Sequence, residues 1–313
     1  MRLIKSGDII LNPCLDCVFK ALFVNSKNDF RELKALLSRM LDREVKKVSL
    51  INNEPPSTNF DDKQVRFDIS CTFDDGELAD VEMSLNPTSY ERHRMEYYLA
   101  RLFMMQKIKG DDYSKLKMSY QISILGDNLF KDDKIFHEFE FYDAKNKVKF
   151  DSLTRIITAE FAKTISLFDK NPEDMFPKER LLLFFAIAGK PEYVDLINKL
   201  VEIDEVINML TNTLEELAKS YELQAQAITA QKRQIDWKLD LRSERSDGYR
   251  EGRQEGMQKG MQKGMLKGRQ EGRQEEKFAT AVAMIKKNLP TDIISFCTGL
   301  SNEEIEKLME ENK

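Results

Sequence analysis

Residues 64–73 and 77–85 both alternate apolar with polar side chains, and Asp74-Asp75-Gly76 between them is a turn signal, so the stretch reads as a β-hairpin. Side chains on a strand alternate between faces, so the length of the loop decides what each face carries. A three-residue loop with Gly76 in the left-handed position sets Val65 against Leu85, Phe67 against Met83, Ile69 against Val81 and Cys71 against Ala79. One face is then wholly apolar, and the other carries Asp68 opposite Glu82 and Arg66 opposite Ser84. A two-residue loop would put Asp68 opposite Met83 and mix the faces, so the three-residue register is the one expected.

The flanking sequence supplies partners for such a hairpin. Leu15, Val18, Phe19, Leu22 and Phe23 recur at helical spacing, with Asp16 and Lys20 four apart on a flank, and a second helical pattern covers residues 29–41. Residues 45–51 have the β-branched content of a strand before Pro55 and Pro56 interrupt it. Residues 89–108 read as one long helix ending near Gly110, long enough to serve as a crossover, and strands are expected at 118–125, 136–142 and 147–150. Strands interleaved with helices argue for an α/β core over residues 1–170. Residues 171–241 carry helical patterns only, at 179–188, 191–201 and 204–241.

In residues 242–277 glycine recurs every fourth position, from Gly248 to Gly272. Seven glycines in place of alanine would cost a helix about 6 kcal/mol of intrinsic propensity, so the segment is a poor helix in isolation. A four-residue step advances about 40° around a helix, so the glycines would wind as a groove, with Met257, Met261 and Met265 as a parallel stripe. A flexible tether and a helical self-association segment both fit this pattern, and the latter would make the chain a homo-oligomer. In residues 278–313, Ser301 followed by Glu304 is a capping box that starts a last helix after the Gly299 turn. This small helical unit has too few basic residues to read DNA as a helix-turn-helix, and is expected to be a packing module.

Composition removes several classes. Lysine plus arginine number 49 against 54 aspartates and glutamates, so no global basic field announces a polyanion partner and any such contact must be local. The longest apolar run, residues 181–188, is far short of the roughly 20 residues that cross a bilayer, so no membrane span is expected. The first residues turn polar too soon for a secretory signal, which points to a cytoplasmic chain. In such a compartment Cys14, Cys17, Cys71 and Cys297 are expected to be free and Cys14-x-x-Cys17 to lack the partner ligands of a zinc site. No phosphate-binding glycine loop and no spaced histidine pair is present, which disfavours kinase, dehydrogenase and zinc-protease chemistry.

Two carboxylates facing each other across adjacent strands, Asp68 and Glu82, could hold a hard divalent cation with water completing its shell. Taken alone, such a pair is more often an ordinary solvated strand face. The ordered set Asp16-x-x-Phe19-Lys20, Phe67-Asp68-Ile69, Val81-Glu82-Met83, Arg94-x-x-Tyr97-Tyr98, Gln106 and Gly110-x-x-Tyr113 resembles the recombination-promoting nuclease and putative transposase family of the PD-(D/E)XK superfamily. The glycine repeat and Thr298-Gly-Leu-Ser-x-Glu-Glu-Ile305 resemble the tails of those proteins. The resemblance implies a restriction-endonuclease-like core with a mixed sheet flanked by helices, and a DNA endonuclease dependent on Mg²⁺ or Mn²⁺. It implies Asp68 and Glu82 as metal ligands, with Asp16 near the site.

After the strand acid the family pattern is Glu-x-Gln, with lysine in the wider superfamily, whereas this chain has Glu82-Met83-Ser84. Serine cannot supply a cationic or amide contact to nucleophile and phosphate. Arg66, opposite Ser84 in the expected register, is one candidate to stabilise phosphate, and Lys20, one turn from Asp16, is a second. Arg94 and Tyr98 share a helix face and could orient the carboxylates or meet a phosphate backbone, or else be a solvated arginine and a core tyrosine. Two alternatives to the nuclease stand beside it: a catalytically degenerate, self-associating relative that binds DNA or protein, and a structural assembly factor whose tail is the working part.

Overall fold

The computed structural model describes residues 4, 10–54, 66–108, 110 and 112–311. The expected pairing of Val65 with Leu85 and the Pro55-Pro56 break lie outside them. The chain divides into two compact units, Met1–Gln234 and Ile235–Lys313.

The first unit is built on a six-stranded mixed sheet. Its strands are β1 (Val48–Leu50), β2 (Ile69–Phe73), β3 (Glu77–Ser84), β4 (Ser119–Leu125), β5 (Phe136–Phe139) and β8 (Thr154–Glu160), in the order β1-β2-β3-β4-β8-β5. β1, β2 and β3 run antiparallel, β3, β4 and β8 parallel, and β5 antiparallel on β8. The hairpin has the expected register, with Ile69 opposite Val81 and Cys71 opposite Ala79, and Gly76 at φ +93° closes the loop.

Parallel neighbours need a crossover. Here it is α3 (Glu91–Met104), shorter than the 89–108 helix expected, between β3 and β4. Strand β8 is absent from the sequence expectations although it sits between β4 and β5. Its residues, Thr-Arg-Ile-Ile-Thr-Ala-Glu, are increasingly buried towards Glu160 and offer no clean alternation. Residues expected to lengthen the sheet beyond Phe139 instead pair as a separate ribbon of β6 (Tyr142–Asp143) and β7 (Val148–Lys149).

One sheet face, with Ile69, Cys71, Phe73, Ala79 and Val81, joins a core supplied by helices from both ends of the unit. These are α1 (Asp16–Phe23), α2 (Arg31–Met40), α4 (Pro177–Ile187), α5 (Val194–Ile203) and α6 (Glu205–Leu217). Val18, Phe19, Leu22 and Phe23 of α1 are fully buried, and Phe23 meets Phe185 of α4 edge to face at 6.1 Å. Burying each such side chain contributes about 1.5–3 kcal/mol. This core crosses residue 170 without a break, so α4–α6 pack as part of the α/β unit. α3 covers the other sheet face, where Leu102 packs on Leu78 and Phe67. Cys14, Cys17, Cys71 and Cys297 are all free, and burial pushes the Cys14 and Cys71 thiols up to about 12, which makes them inert.

Helix α7 (Tyr221–Ile285) carries the glycine repeat in helical form. The residues between the glycines are strong helix formers, and Glu255–Lys259 (3.0 Å) and Lys267–Glu271 (3.6 Å) add i,i+4 pairs. A Cβ added at any of the seven glycines would have no contact within 4 Å. Gly256→Ala, Gly260→Ala and Gly264→Ala are each expected to stabilise the helix by about 1 kcal/mol. Thermal melts followed at 222 nm should show helical signal persisting to higher temperature in the triple variant; no change would mean that this segment is not helical in solution.

In the second unit, α8 (Thr291–Thr298) ends at Gly299 with φ +68°, and α9 (Asn302–Glu311) follows. The capping box is present: Ser301 N–H donates to Glu304 Oε2 (2.8 Å) and Glu304 N–H to Ser301 Oγ (3.3 Å). Ala281, Ile294, Leu300 and Ile305 form its small core. Among the described residues no helix is long and apolar enough to cross a membrane.

Candidate active site

The β2–β3 ladder stops at Ile69 opposite Val81. Beyond it the chain bends, and Phe67 N–H donates to Asn53 O (2.9 Å) rather than continuing on β3. Phe67 therefore does not face Met83 as the alternation predicts. It packs on the α3 side, 5.6 Å from the Tyr98 ring. Asp68 sits at the bend, where Asn53 Nδ2 holds its carbonyl at 3.2 Å.

The bend brings Asp68 and Glu82 into reciprocal contact. Asp68 N–H donates to Glu82 Oε1 (2.9 Å), and Met83 N–H donates to Asp68 Oδ2 (3.2 Å). A helix on each side supplies one cation. From α1, Lys20 Nζ lies 3.1 Å from Asp68 Oδ1 and 2.6 Å from Asp16 Oδ1. From α3, Arg94 Nη2 lies 3.4 Å from Glu82 Oε2 and 2.9 Å from Glu91 Oε1, with its guanidinium 5.5 Å over the Tyr98 ring. Asp16, Lys20, Asp68, Glu82, Arg94 and Tyr98 are thus gathered at one place.

Arg66 is not among them. It projects into solvent at 79% exposure, with Nε 3.6 Å from Glu54 Oε1, because the ladder that would have set it across from Ser84 ends three residues earlier. Ser84 closes β3 beside Leu125 of β4, and its carbonyl accepts the Gly126 N–H at 2.8 Å.

Two residues that sequence reasoning passed over belong to the site. Asp80, fully buried two positions before Glu82 on the same face, lies in a row with Ser70 and Gln121. Strand alternation was the available signal for it. Glu91 is 1% exposed in the first turn of α3, and its i,i+3 spacing to Arg94 was the corresponding signal.

The site is electrostatically loaded. Burial, then the charge of Asp68, pushes the Glu82 carboxyl up to about 8, against the opposing pull of the Asp68 N–H, Arg94 and Lys20. Burial, then Glu82, holds Asp80 well above the ordinary aspartate value. Burial alone would lower Lys20, but the Asp16 hydrogen bond and the Asp68 charge outweigh it and hold the ammonium above its usual value. Among the described residues no group of three or more His, Cys, Asp or Glu could cage a metal ion. A hard divalent cation that keeps much of its water needs fewer ligands, and two crowded carboxylates, one of them raised by burial and by the charge of the other, fit it.

A carboxyl raised from 4.5 to about 8 by folding stabilises the protein fully at low pH, and that stabilisation is lost as pH rises through this window. Metal-free protein is therefore expected to weaken between those values, by at most about 1.4 kcal/mol per pH unit from Glu82. Urea midpoints in chelator should fall more steeply with pH in the wild type than in Glu82→Gln; parallel slopes would reject the raised Glu82.

A family model described as PD-(D/E)XK nuclease family transposase matches residues 13–244. No curated protein and no solved structure matches the chain.

Proposed function

Because the chain belongs to the PD-(D/E)XK nuclease family transposases, we propose that it hydrolyses DNA phosphodiester bonds, with Asp68 and Glu82 holding Mg²⁺ or Mn²⁺. The observation that carries this reading is the joining of the two carboxylates through the Asp68 N–H to Glu82 Oε1 contact, with a cation from a separate helix beside each. When bound, the ion would polarise the phosphoryl oxygen and lower the pKa of an attacking water.

The chain's own residues do the rest. Glu82 must release the proton that burial favours before it can ligate, so occupancy of the site rises with pH towards about 8. Lys20 neutralises Asp68 in the resting protein, and its partner Asp16 is 68% exposed, so water competes for that pair. Its ammonium is able to turn to a phosphate oxygen, which makes Lys20 a better replacement for the family Gln or Lys at Ser84 than the remote Arg66. Arg94, held over the Tyr98 ring, neutralises Glu82 in the resting protein and lines the approach for the phosphate backbone.

A second reading, a relative that binds DNA without cutting it, is favoured by Ser84 itself, whose hydroxyl carries no charge. Cleavage of supercoiled plasmid with Mg²⁺ or Mn²⁺, beside chelator, separates the two. Nicking that Lys20→Ala abolishes and Arg66→Ala leaves intact supports the first; DNA retention with no nicking under either ion supports the second.

A further inference from the structure

The two helices that meet the carboxylate pair carry the same arrangement in different surroundings. On α1, Lys20 is shared between Asp68 of the sheet and Asp16 of its own helix; on α3, Arg94 is shared between Glu82 of the sheet and Glu91 of its own helix. Each cation therefore has a second acid to fall back on when its sheet carboxylate is given to another partner.

The fallback acids differ in burial. The Asp16 side chain is 68% exposed, whereas that of Glu91 is 1% exposed and accepts the Thr88 N–H through its other oxygen at 3.4 Å. A solvated pair is readily broken by water, while a buried carboxylate depends on its cation and holds it. Arg94 is further fixed by the Tyr98 ring beneath it. The Arg94 contact to Glu91 is the shorter of its two, 2.9 Å against 3.4 Å, but only the Glu82 contact has hydrogen-bond geometry, so the buried Glu91 Oε1 is left to accept a hydrogen bond when Arg94 turns from Glu82.

The geometry points to Glu91 as a positioning residue that takes up the Arg94 charge and so frees Glu82 for a divalent cation. With Glu91 present, the guanidinium loses little when Glu82 turns away. Without it, Glu82 is the acid that Arg94 still contacts, and the guanidinium competes directly with the ion. This inference rests on the reading that Asp68 and Glu82 hold a metal.

The test is a double-mutant cycle on Mn²⁺ affinity of the full-length protein, read from the free-ion electron paramagnetic resonance signal without DNA. Glu91→Gln is expected to weaken binding about tenfold, the scale typical of residues that orient metal ligands. Arg94→Gln should bind at least as well as wild type, and Glu91→Gln added to Arg94→Gln should change nothing further, because the competitor is gone. The same tenfold loss in both backgrounds would show that Glu91 acts through the fold or through its own charge, and would overturn the inference. So would unaltered affinity in Glu91→Gln while Asp68→Asn abolishes binding. If the wild type and Asp68→Asn fail alike to take up Mn²⁺, the two-carboxylate reading itself falls and this inference with it.

Discussion

Asp68→Asn is expected to lower metal-dependent plasmid nicking by about 10³-fold or more, the scale of losing a principal electrostatic contact to the transition state. The substitution is nearly isosteric and its amide can remain near the Met83 N–H, so the loss should come without unfolding. Stability should be level or higher in metal-free protein. Glu82 is pushed up to about 8 by burial and then by the Asp68 charge, and removing that charge lets Glu82 ionise more easily beside Arg94. Activity and melting temperature are thus expected to move apart. Matched measurements of nicking and of melting in chelator decide it: a variant that still nicks at near wild-type rate removes Asp68 from the chemistry. A variant that loses both activity and fold would instead assign Asp68 a structural role.

Asp204→Ala should have the opposite profile, a loss of about 3 to 5 kcal/mol in stability with no contact to the site. The Asp204 side chain is 1% exposed and serves four partners: Arg39 Nη2 of α2 at 2.8 Å, Arg180 Nε of α4 at 2.9 Å, and, as N-cap of α6, the Val206 N–H at 3.1 Å and the Ile207 N–H at 3.4 Å. Alanine would strand two mostly buried guanidinium groups and uncap a helix. Asp204→Asn keeps the cap and one acceptor and should lose less. Urea unfolding of the full chain gives the comparison, and a midpoint for Asp204→Ala within error of wild type would contradict the arrangement.

The hairpin was legible because alternation in both strands and a single permitted loop length had to agree, and only one register satisfied both for Ile69–Val81 and Cys71–Ala79. The resemblance carried by Asp16, Asp68, Glu82 and Arg94 was legible for a different reason, the order of short motifs, and the matched family covers all four. What alternation could not show is where a strand stops. Phe67 and Arg66 lie past the last ladder pair because residues 51–53 of the β1 side draw the chain away, and that pairing is tertiary. Strand β8 defeats the alternation because polar and apolar residues share each face, Ile156 with Thr154, Thr158 and Glu160 on one, Ile157 and Ala159 with Arg155 on the other. Glu91 and Asp80 had only the common signals of i,i+3 spacing to Arg94 and of alternation with Glu82, and their burial is what sets them apart. In the glycine repeat, intrinsic propensity argued against the helix that α7 forms, since the intervening residues and ion pairs contribute in its favour.

Every described residue proposed to touch metal or phosphate is encoded before position 99, but the side chains that seat α1 come from both directions along the chain. Phe19, Leu22 and Phe23 share their core with Phe185 of α4 and with Ile207, Leu210 and Leu214 of α6. A shortened gene product ending soon after β8 would retain every motif of the site and still leave Lys20 without a firm base. Motif content alone is thus a poor guide to whether a truncated copy is competent. The same dependence means that the helices of residues 177–217, supplied as a separate polypeptide, are the natural piece for restoring such a fragment by complementation.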